Sequence, residues 1–136
     1  MSNRKIGIDV DGVLRDFCGS LVNVIKEDFP QYLKGKYNPD VEPSLDGGIV
    51  TDWYLENNFN CTKEDLKNIY WYSHADKIMG DGWPMPGAIK KMYDLFEWAD
   101  DQGHEVCCIT SQRPHARHYT LKWLGKYGMD FETVYF

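Results

Sequence analysis

The chain has 136 residues, and its 15 Lys and Arg against 21 Asp and Glu give a formal net charge of −6. That length is enough for one compact domain with a small insertion. An apolar fraction of 43% and a charged fraction of 26% predict a folded protein and exclude the basic excess by which proteins bind nucleic-acid backbones.

The first predicted element is a strand that ends in a tight turn. Two-residue alternation over Lys5–Val10 breaks at Asp11–Gly12. The residues that alternate on one side are apolar: Ile6, Ile8 and Val10. Apolar residues then recur at helical spacing over 13–29 until Pro30 ends the pattern. A helix is therefore predicted directly after the strand.

The pattern changes between about Gln31 and Met85, where short aromatic clusters replace long periodic runs. Turn residues punctuate this stretch: Asn38–Pro39, Asp46–Gly47–Gly48 and Asp81–Gly82. One helix is predicted after Thr62, whose hydroxyl suits an N-cap and which precedes Glu64 and Asp65 in the first turn. We predict that this stretch is an insertion.

The rest of the chain predicts helix, strand, helix and strand in that order. Pro86–Gly87–Ala88 and Gly103 bracket the first of these helices. The continuous apolar run Val106–Ile109 predicts a strand covered on both faces. Pro114 suits the first turn of the next helix, and residues 131–136 predict a third strand.

We expect a cytoplasmic protein without a membrane partner. No apolar run approaches the ~18 residues of a membrane span, and residues 1–8 lack the apolar stretch of a secretory signal. The cysteines form no CxxC pair and are expected to be buried, reduced thiols: Cys18, Cys61, Cys107 and Cys108.

Consecutive strand–helix–strand units predict a parallel sheet, and ligands of such sheets bind at the carboxyl ends of the strands. Asp9 and Asp11 lie at the end of the first strand. Two carboxylates so close together favour a metal ion, or a division of roles in which one stays ionised and the other carries a proton. Gly12 permits a sharp turn that exposes N–H groups to phosphate oxygens. Oxygen ligands beside a phosphate indicate Mg2+ rather than zinc.

The second strand ends in the hydroxyls of Thr110 and Ser111, followed by Arg113 before a helix. These groups and the first loop are predicted to bind one phosphoryl group. Each motif also has a plain structural explanation, because Asp-x-Asp-Gly is common in turns and Thr-Ser before Pro114 suits an N-cap. Their coincidence at two neighbouring strand ends favours the functional interpretation.

These residues resemble a known family. Ile8–Leu14 is similar to the first motif of the haloacid-dehalogenase-like (HAD) phosphohydrolases, and Ile109–Ser111 is similar to their second motif. More narrowly, 9–17, Pro84–Ala88 and Cys108–Ser111 resemble the 5'(3')-deoxyribonucleotidases. The resemblance covers about half of the chain.

The resemblance implies an α/β fold with a Rossmann-like parallel three-layer core, formed by residues 1–17 and 86–136. A small, mainly helical cap, residues 18–85, is inserted after the first strand. Asp9 would be the nucleophile and Asp11 the general acid and base. An Asp9 oxygen and the Asp11 carbonyl would hold Mg2+, and Thr110 would bind the phosphate.

The function expected from this resemblance is a magnesium-dependent phosphomonoesterase acting on a small phosphorylated substrate, with a (deoxy)nucleoside monophosphate as the expected substrate. A phosphotransferase or a sugar-phosphate phosphatase on the same scaffold is a weaker alternative. The aromatic residues of the cap region are candidates for stacking on a base: Phe29, Tyr32, Tyr37, Trp53, Tyr54, Phe59, Tyr70, Trp71, Tyr72 and Trp83.

The sequence departs from the family pattern after the third strand, where family members carry a lysine and a further acidic motif. A fragment of a longer protein, a second subunit that supplies these groups, or a remnant that binds without turnover would each explain the difference. A three-stranded sheet is also thin for this fold, so added strands, an edge that pairs in a homodimer, or truncation is expected. The alternative function is therefore a catalytically impaired nucleotide- or phosphate-binding module. Arg113 is a candidate substitute for the lysine.

Overall fold

The computed structural model describes residues 3–34 and 48–136. Within these residues the chain is a mixed α/β protein with one parallel sheet, as the strand–helix–strand pattern predicts. The sheet has the strand order β1–β2–β3, formed by Lys5–Ile8, Glu105–Ile109 and Val134–Tyr135. Three features named from the sequence lie outside the described residues: the Asn38–Pro39 turn, most of the Asp46–Gly48 turn and Tyr37.

Two strands are shorter than predicted. β1 ends at Ile8 because the chain then coils around the Val10 carbonyl, which accepts the N–H groups of residues 13–15 at 3.2, 2.8 and 2.9 Å. β3 covers two of the six residues predicted. At the start of the predicted segment, the Phe131 N–H donates to the Met129 carbonyl at 3.2 Å. The Phe131 ring packs on the Phe96 ring, with 5.2 Å between ring centroids.

Four α-helices occupy the positions that the apolar spacing and the capping residues predict: α1 (Phe17–Asp28), α2 (Lys63–Asn68), α3 (Ala88–Gln102) and α4 (Arg117–Lys126). α1 begins later than predicted because Asp16 caps it, its Oδ1 accepting the Gly19 N–H at 3.0 Å. α2 has a complete capping box between Thr62 and Asp65. No helix within 3–34 or 48–136 is long and apolar enough to cross a membrane.

Shorter helical turns complete the described chain. Three are 3₁₀ turns, at Pro30–Tyr32, Leu55–Asn58 and Pro114–Ala116. Two are π turns, at Ile69–Ser73 and Asp76–Gly80, and they follow α2. The stretch predicted as an insertion is therefore mainly helical in the part that the structure describes.

The apolar side chains form two clusters. The first, the sheet core, lies between the sheet, α3 and α4: Val10, Leu14, Ala88, Met92, Ala99, Val106, Cys108, Trp123, Leu124 and Met129. The second, the cap core, joins α1 to the insertion: Leu21, Val22, Val24, Ile25, Phe59, Leu66, Ile69, Ile78, Met79 and Ala116. Ala116 belongs to the turn that leads into α4, and α4 supplies Trp123 and Leu124 to the sheet core, so residues 114–126 contribute to both cores.

The prediction that β2 is covered on both faces is wrong at its last residue. Val106 and Cys108 point into the sheet core, but the Ile109 side chain is 54% exposed on the opposite face. There it lies over Gly7, where an added Cβ would be 2.6 Å from the Ile109 Cδ1. Tyr135, which pairs with Ile109, is exposed as well. This face of the sheet is therefore open to solvent at Gly7, Ile109 and Tyr135.

Two glycines at helix ends should respond oppositely to alanine. Gly103 ends α3 with a φ of +72°, so Gly103→Ala should lower the free energy of unfolding by about 1 kcal/mol. Gly125 lies inside α4, and an added Cβ would meet nothing within 4 Å, so Gly125→Ala should raise it by roughly 0.5–1 kcal/mol. Urea unfolding of both variants measures the difference, and a change of the same sign in both would contradict this assignment.

Candidate functional site

The loops after β1 and β2 meet at one place. Parallel pairing of Ile8 with Cys108 brings the two strand ends side by side. Across the loops, the Gln112 Nε2 donates to Asp11 Oδ2 at 3.0 Å and to the Thr110 Oγ1 at 3.4 Å. The acidic first loop and the hydroxyl-bearing second loop therefore form a single site.

Asp9 is exposed, and its carboxylate is hydrogen-bonded to the backbone of a buried neighbour. It directly follows β1, and its Oδ1 accepts the N–H of Val10 at 2.8 Å. Val10 is fully buried in the sheet core. The Asp9 carboxylate is thus held in a defined orientation while it faces solvent.

Asp11 has a different environment, because both of its carboxylate oxygens are hydrogen-bonded. Its Oδ1 accepts from Arg15 Nε at 2.8 Å, and its Oδ2 accepts from Gln112. The side chain is 27% exposed, whereas the Arg15 side chain is 0% exposed. The guanidinium charge offsets the repulsion between the two neighbouring carboxylates.

Gly12 supplies the turn but not a free phosphate donor. Its φ of +77° gives the sharp turn that the sequence predicts. Its N–H, however, donates to the Arg15 carbonyl at 2.9 Å. The prediction that this N–H faces a phosphate is therefore corrected: it already closes the turn.

The second loop presents some of its predicted groups to solvent. Ser111 and Arg113 are exposed, so a hydroxyl and a positive charge are accessible there. Thr110 is buried, with its N–H donating to the Tyr135 carbonyl at 2.9 Å and its Oγ1 facing Gln112.

Two tyrosines that follow α2 contact the turn after the second loop and the first residue of α1. Tyr72 stacks on His115 with 5.4 Å between ring centroids, and Tyr70 packs edge-on against Phe17 at 5.3 Å. Burial raises the pKa of Tyr70, nearby glutamates raise it further, and Arg113 lowers it.

Sequence reasoning missed two residues of the site, Arg15 and Gln112. Both are usually surface residue types, but here they are 0% and 7% exposed. Spacing offered a weak signal, because Arg15 follows Asp11 by four residues and Gln112 follows Thr110 by two. Only the folded chain shows that these side chains point inward.

The oxygen donors fit a magnesium ion better than a softer metal. The described ranges 3–34 and 48–136 contain no group of three or more His, Cys, Asp and Glu side chains placed to hold a metal. Mg2+ does not require one, since it commonly keeps several waters and binds one or two carboxylates together with a substrate phosphate. Asp9 offers an exposed carboxylate, and Asp11, whose side-chain oxygens are engaged, would contribute its carbonyl.

Comparison with known proteins adds no assignment. No protein-family model and no curated protein matches this sequence. The family resemblance therefore stays a prediction that depends on the motifs around Asp9 and Thr110 and on the geometry of the two loops.

The buried thiol under the site should make the fold sensitive to alkali. Burial, and secondarily Asp9, raises the pKa of Cys108 from 9.0 to about 12. Between these two pH values the unfolded chain loses a proton that the folded chain keeps, so stability should fall as pH rises.

Replacing Cys108 with valine removes this proton, so Cys108→Val should lose stability less steeply than the unmodified protein from pH 9 to 12. Urea unfolding at several pH values measures the slopes. Val106→Ala, a core variant with every thiol intact, controls for lower stability and should keep the original slope. Equal slopes in all three proteins would contradict the prediction.

Proposed function

We propose that this chain is a magnesium-dependent phosphomonoesterase of the HAD type. The proposal includes a Rossmann-like core from residues 1–17 and 86–136 and a cap from 18–85. The observation that carries it is the pairing of two unlike carboxylates at one strand end, exposed Asp9 and charge-balanced Asp11, next to a second loop that presents a hydroxyl and a cation.

The reaction divides into two displacements. An Asp9 oxygen attacks the phosphorus, the bond to the leaving oxygen breaks, and Asp11, which enters this step in its protonated form, gives its proton to that oxygen and becomes a carboxylate. Water then attacks the aspartyl-phosphate, Asp11 takes the proton from the water, and phosphate leaves with Asp9 restored. The asymmetry of the two side chains suits this division, because one faces solvent and the other is held by Arg15 and Gln112.

Bound Mg2+ would neutralise charge on the phosphoryl group and the attacking carboxylate. Asp9 and the Asp11 carbonyl would hold it. Arg113 and Ser111 would bind the remaining phosphate oxygens, since both side chains are accessible on the second loop.

A nucleoside monophosphate is the substrate that the insertion favours. A pocket of about 310 Å³ in the insertion is lined by Trp53, Tyr54, Leu55, Glu56, Lys63, Leu66 and Tyr70. Tyr70, which lines this pocket, also packs edge-on against Phe17, the first residue of the helix that follows the loop carrying Asp9 and Asp11. Stacking of a base on an aromatic side chain contributes ~1–3 kcal/mol, enough to select nucleotides over smaller phosphate esters.

Replacing the nucleophile tests the proposal. Asp9→Asn keeps the shape of the side chain and removes its charge, so phosphate release should fall by about 10³-fold or more. Release of inorganic phosphate from nucleoside monophosphates and sugar phosphates, with and without Mg2+, is the measurement. Asp130→Asn, at an exposed aspartate before β3, is the matched control and should retain full activity.

Equal release by the unmodified protein and Asp9→Asn would remove Asp9 as the nucleophile. A nucleotide that binds in calorimetry and remains intact for hours would instead support a binding module.

A further inference from the structure

The buried Arg15 side chain contacts three different parts of the protein. Its Nε donates to Asp11, and its Nη1 donates to the Met79 carbonyl at 2.7 Å and to the Thr120 Oγ1 at 3.1 Å. Its Nη2 lies 3.2 Å from the Met79 sulfur, and its guanidinium carbon lies 5.4 Å from the ring centroid of Trp123. The planar fork of an arginine is the side chain that can serve this many partners at fixed angles.

The hydrogen-bond directions around Arg15 also fix the orientation of Gln112. The guanidinium only donates, so Thr120 Oγ1 must accept from it and use its own hydrogen elsewhere. That hydrogen goes to the Gln112 Oε1 at 3.0 Å, which leaves the Gln112 amide nitrogen facing Asp11 Oδ2. These four hydrogen bonds form a closed ring that joins Arg15, Thr120, Gln112 and Asp11. The direction of each bond, from donor to acceptor, is fixed.

We propose that Arg15 is a positioning residue that fixes the direction in which Asp11 delivers its proton, directly through Oδ1 and indirectly through Thr120 and Gln112. This inference rests on the proposed phosphatase function. Because both oxygens of Asp11 are bonded, the carboxylate cannot rotate without losing a contact to a buried group. Without this ring of hydrogen bonds, the carboxyl group would sample other orientations, and the rate of proton transfer to the leaving oxygen would fall.

The same guanidinium makes the orientation of Asp11 dependent on the insertion. Met79, whose backbone and sulfur contact Arg15, belongs to the π turn Asp76–Gly80 and to the cap core. Asp11 is therefore positioned only when this turn is packed in place.

The experiment compares two substrates whose leaving groups differ in whether they need a proton. An alkyl ester such as a nucleoside monophosphate needs a proton on its leaving oxygen, whereas p-nitrophenolate leaves without one. Arg15→Lys keeps the charge but not the fork, so kcat/KM should fall about 10²-fold for the nucleotide and less than about 5-fold for p-nitrophenyl phosphate.

A second variant changes the ring at Thr120 and leaves both Arg15 and Asp11 unsubstituted. Thr120→Val keeps the side-chain shape and frees the Gln112 amide to turn, so it should lower kcat/KM for the nucleotide by about 10-fold with the same selectivity between substrates. Arg4→Lys, at an exposed arginine before β1, is the matched control and should leave both substrates unaffected.

The outcomes separate this inference from the function on which it rests. An unmodified protein that releases phosphate from neither substrate overturns the proposed function and this role with it. An active protein in which Arg15→Lys and Thr120→Val lower kcat/KM equally for both substrates, or lower it for neither, overturns the positioning role alone.

Thermal unfolding tests the pairing without activity. Asp11→Asn removes the negative charge that pairs with the buried guanidinium, and Arg15→Met removes the donor to the Met79 carbonyl and to Thr120, so each should lower Tm. The double variant should lose at least about 3 °C less than the sum of the two shifts. Additive shifts would show that the two side chains do not depend on each other and would overturn the inference.

Discussion

The buried guanidinium of Arg15 is the interaction on which the arrangement of the site depends. A positive charge inside a protein is tolerated only when it is paired and its hydrogen-bond donors are satisfied, because a buried charge without a partner costs several kcal/mol. Its partners belong to the loop after β1, the insertion and α4, through Asp11, Met79 and Thr120. This packing of the three segments satisfies all of them together, so the contacts that hold the junction also set the geometry of the candidate site.

That constraint explains how two aspartates two residues apart acquire different properties. Asp9 is oriented by the backbone alone and remains open to solvent, whereas Asp11 is enclosed by a cation and an amide. A nucleophile has to reach its target, and a proton carrier has to be held at a fixed distance from the leaving group. Local structure thus leaves one carboxylate accessible and holds the other in one orientation.

The parts of the structure that depend on local signals could be predicted from the sequence. Thr62 and Gly103 mark helix ends through contacts within one turn, and the structure has helix ends there. Strand ends rich in acidic and hydroxyl groups likewise indicated two loops that the structure brings together. The burial of Arg15 could not be foreseen, because its partners Met79 and Thr120 are 64 and 105 residues away in the chain. The exposure of Ile109 depends on what packs against its face of the sheet, which the strand's own composition does not reveal.

The segment from Pro114 through α4 has a consequence for how the molecule opens. Ala116 packs in the cap core and Trp123 in the sheet core, and the indole N–H of Trp123 donates to the Gly82 carbonyl at 2.6 Å. The insertion cannot swing away as a hinged body without wetting this tryptophan and breaking that bond. Opening of the insertion and melting of α4 should therefore be one cooperative event, and the amide hydrogens of α4 belong among the slowest to exchange with solvent.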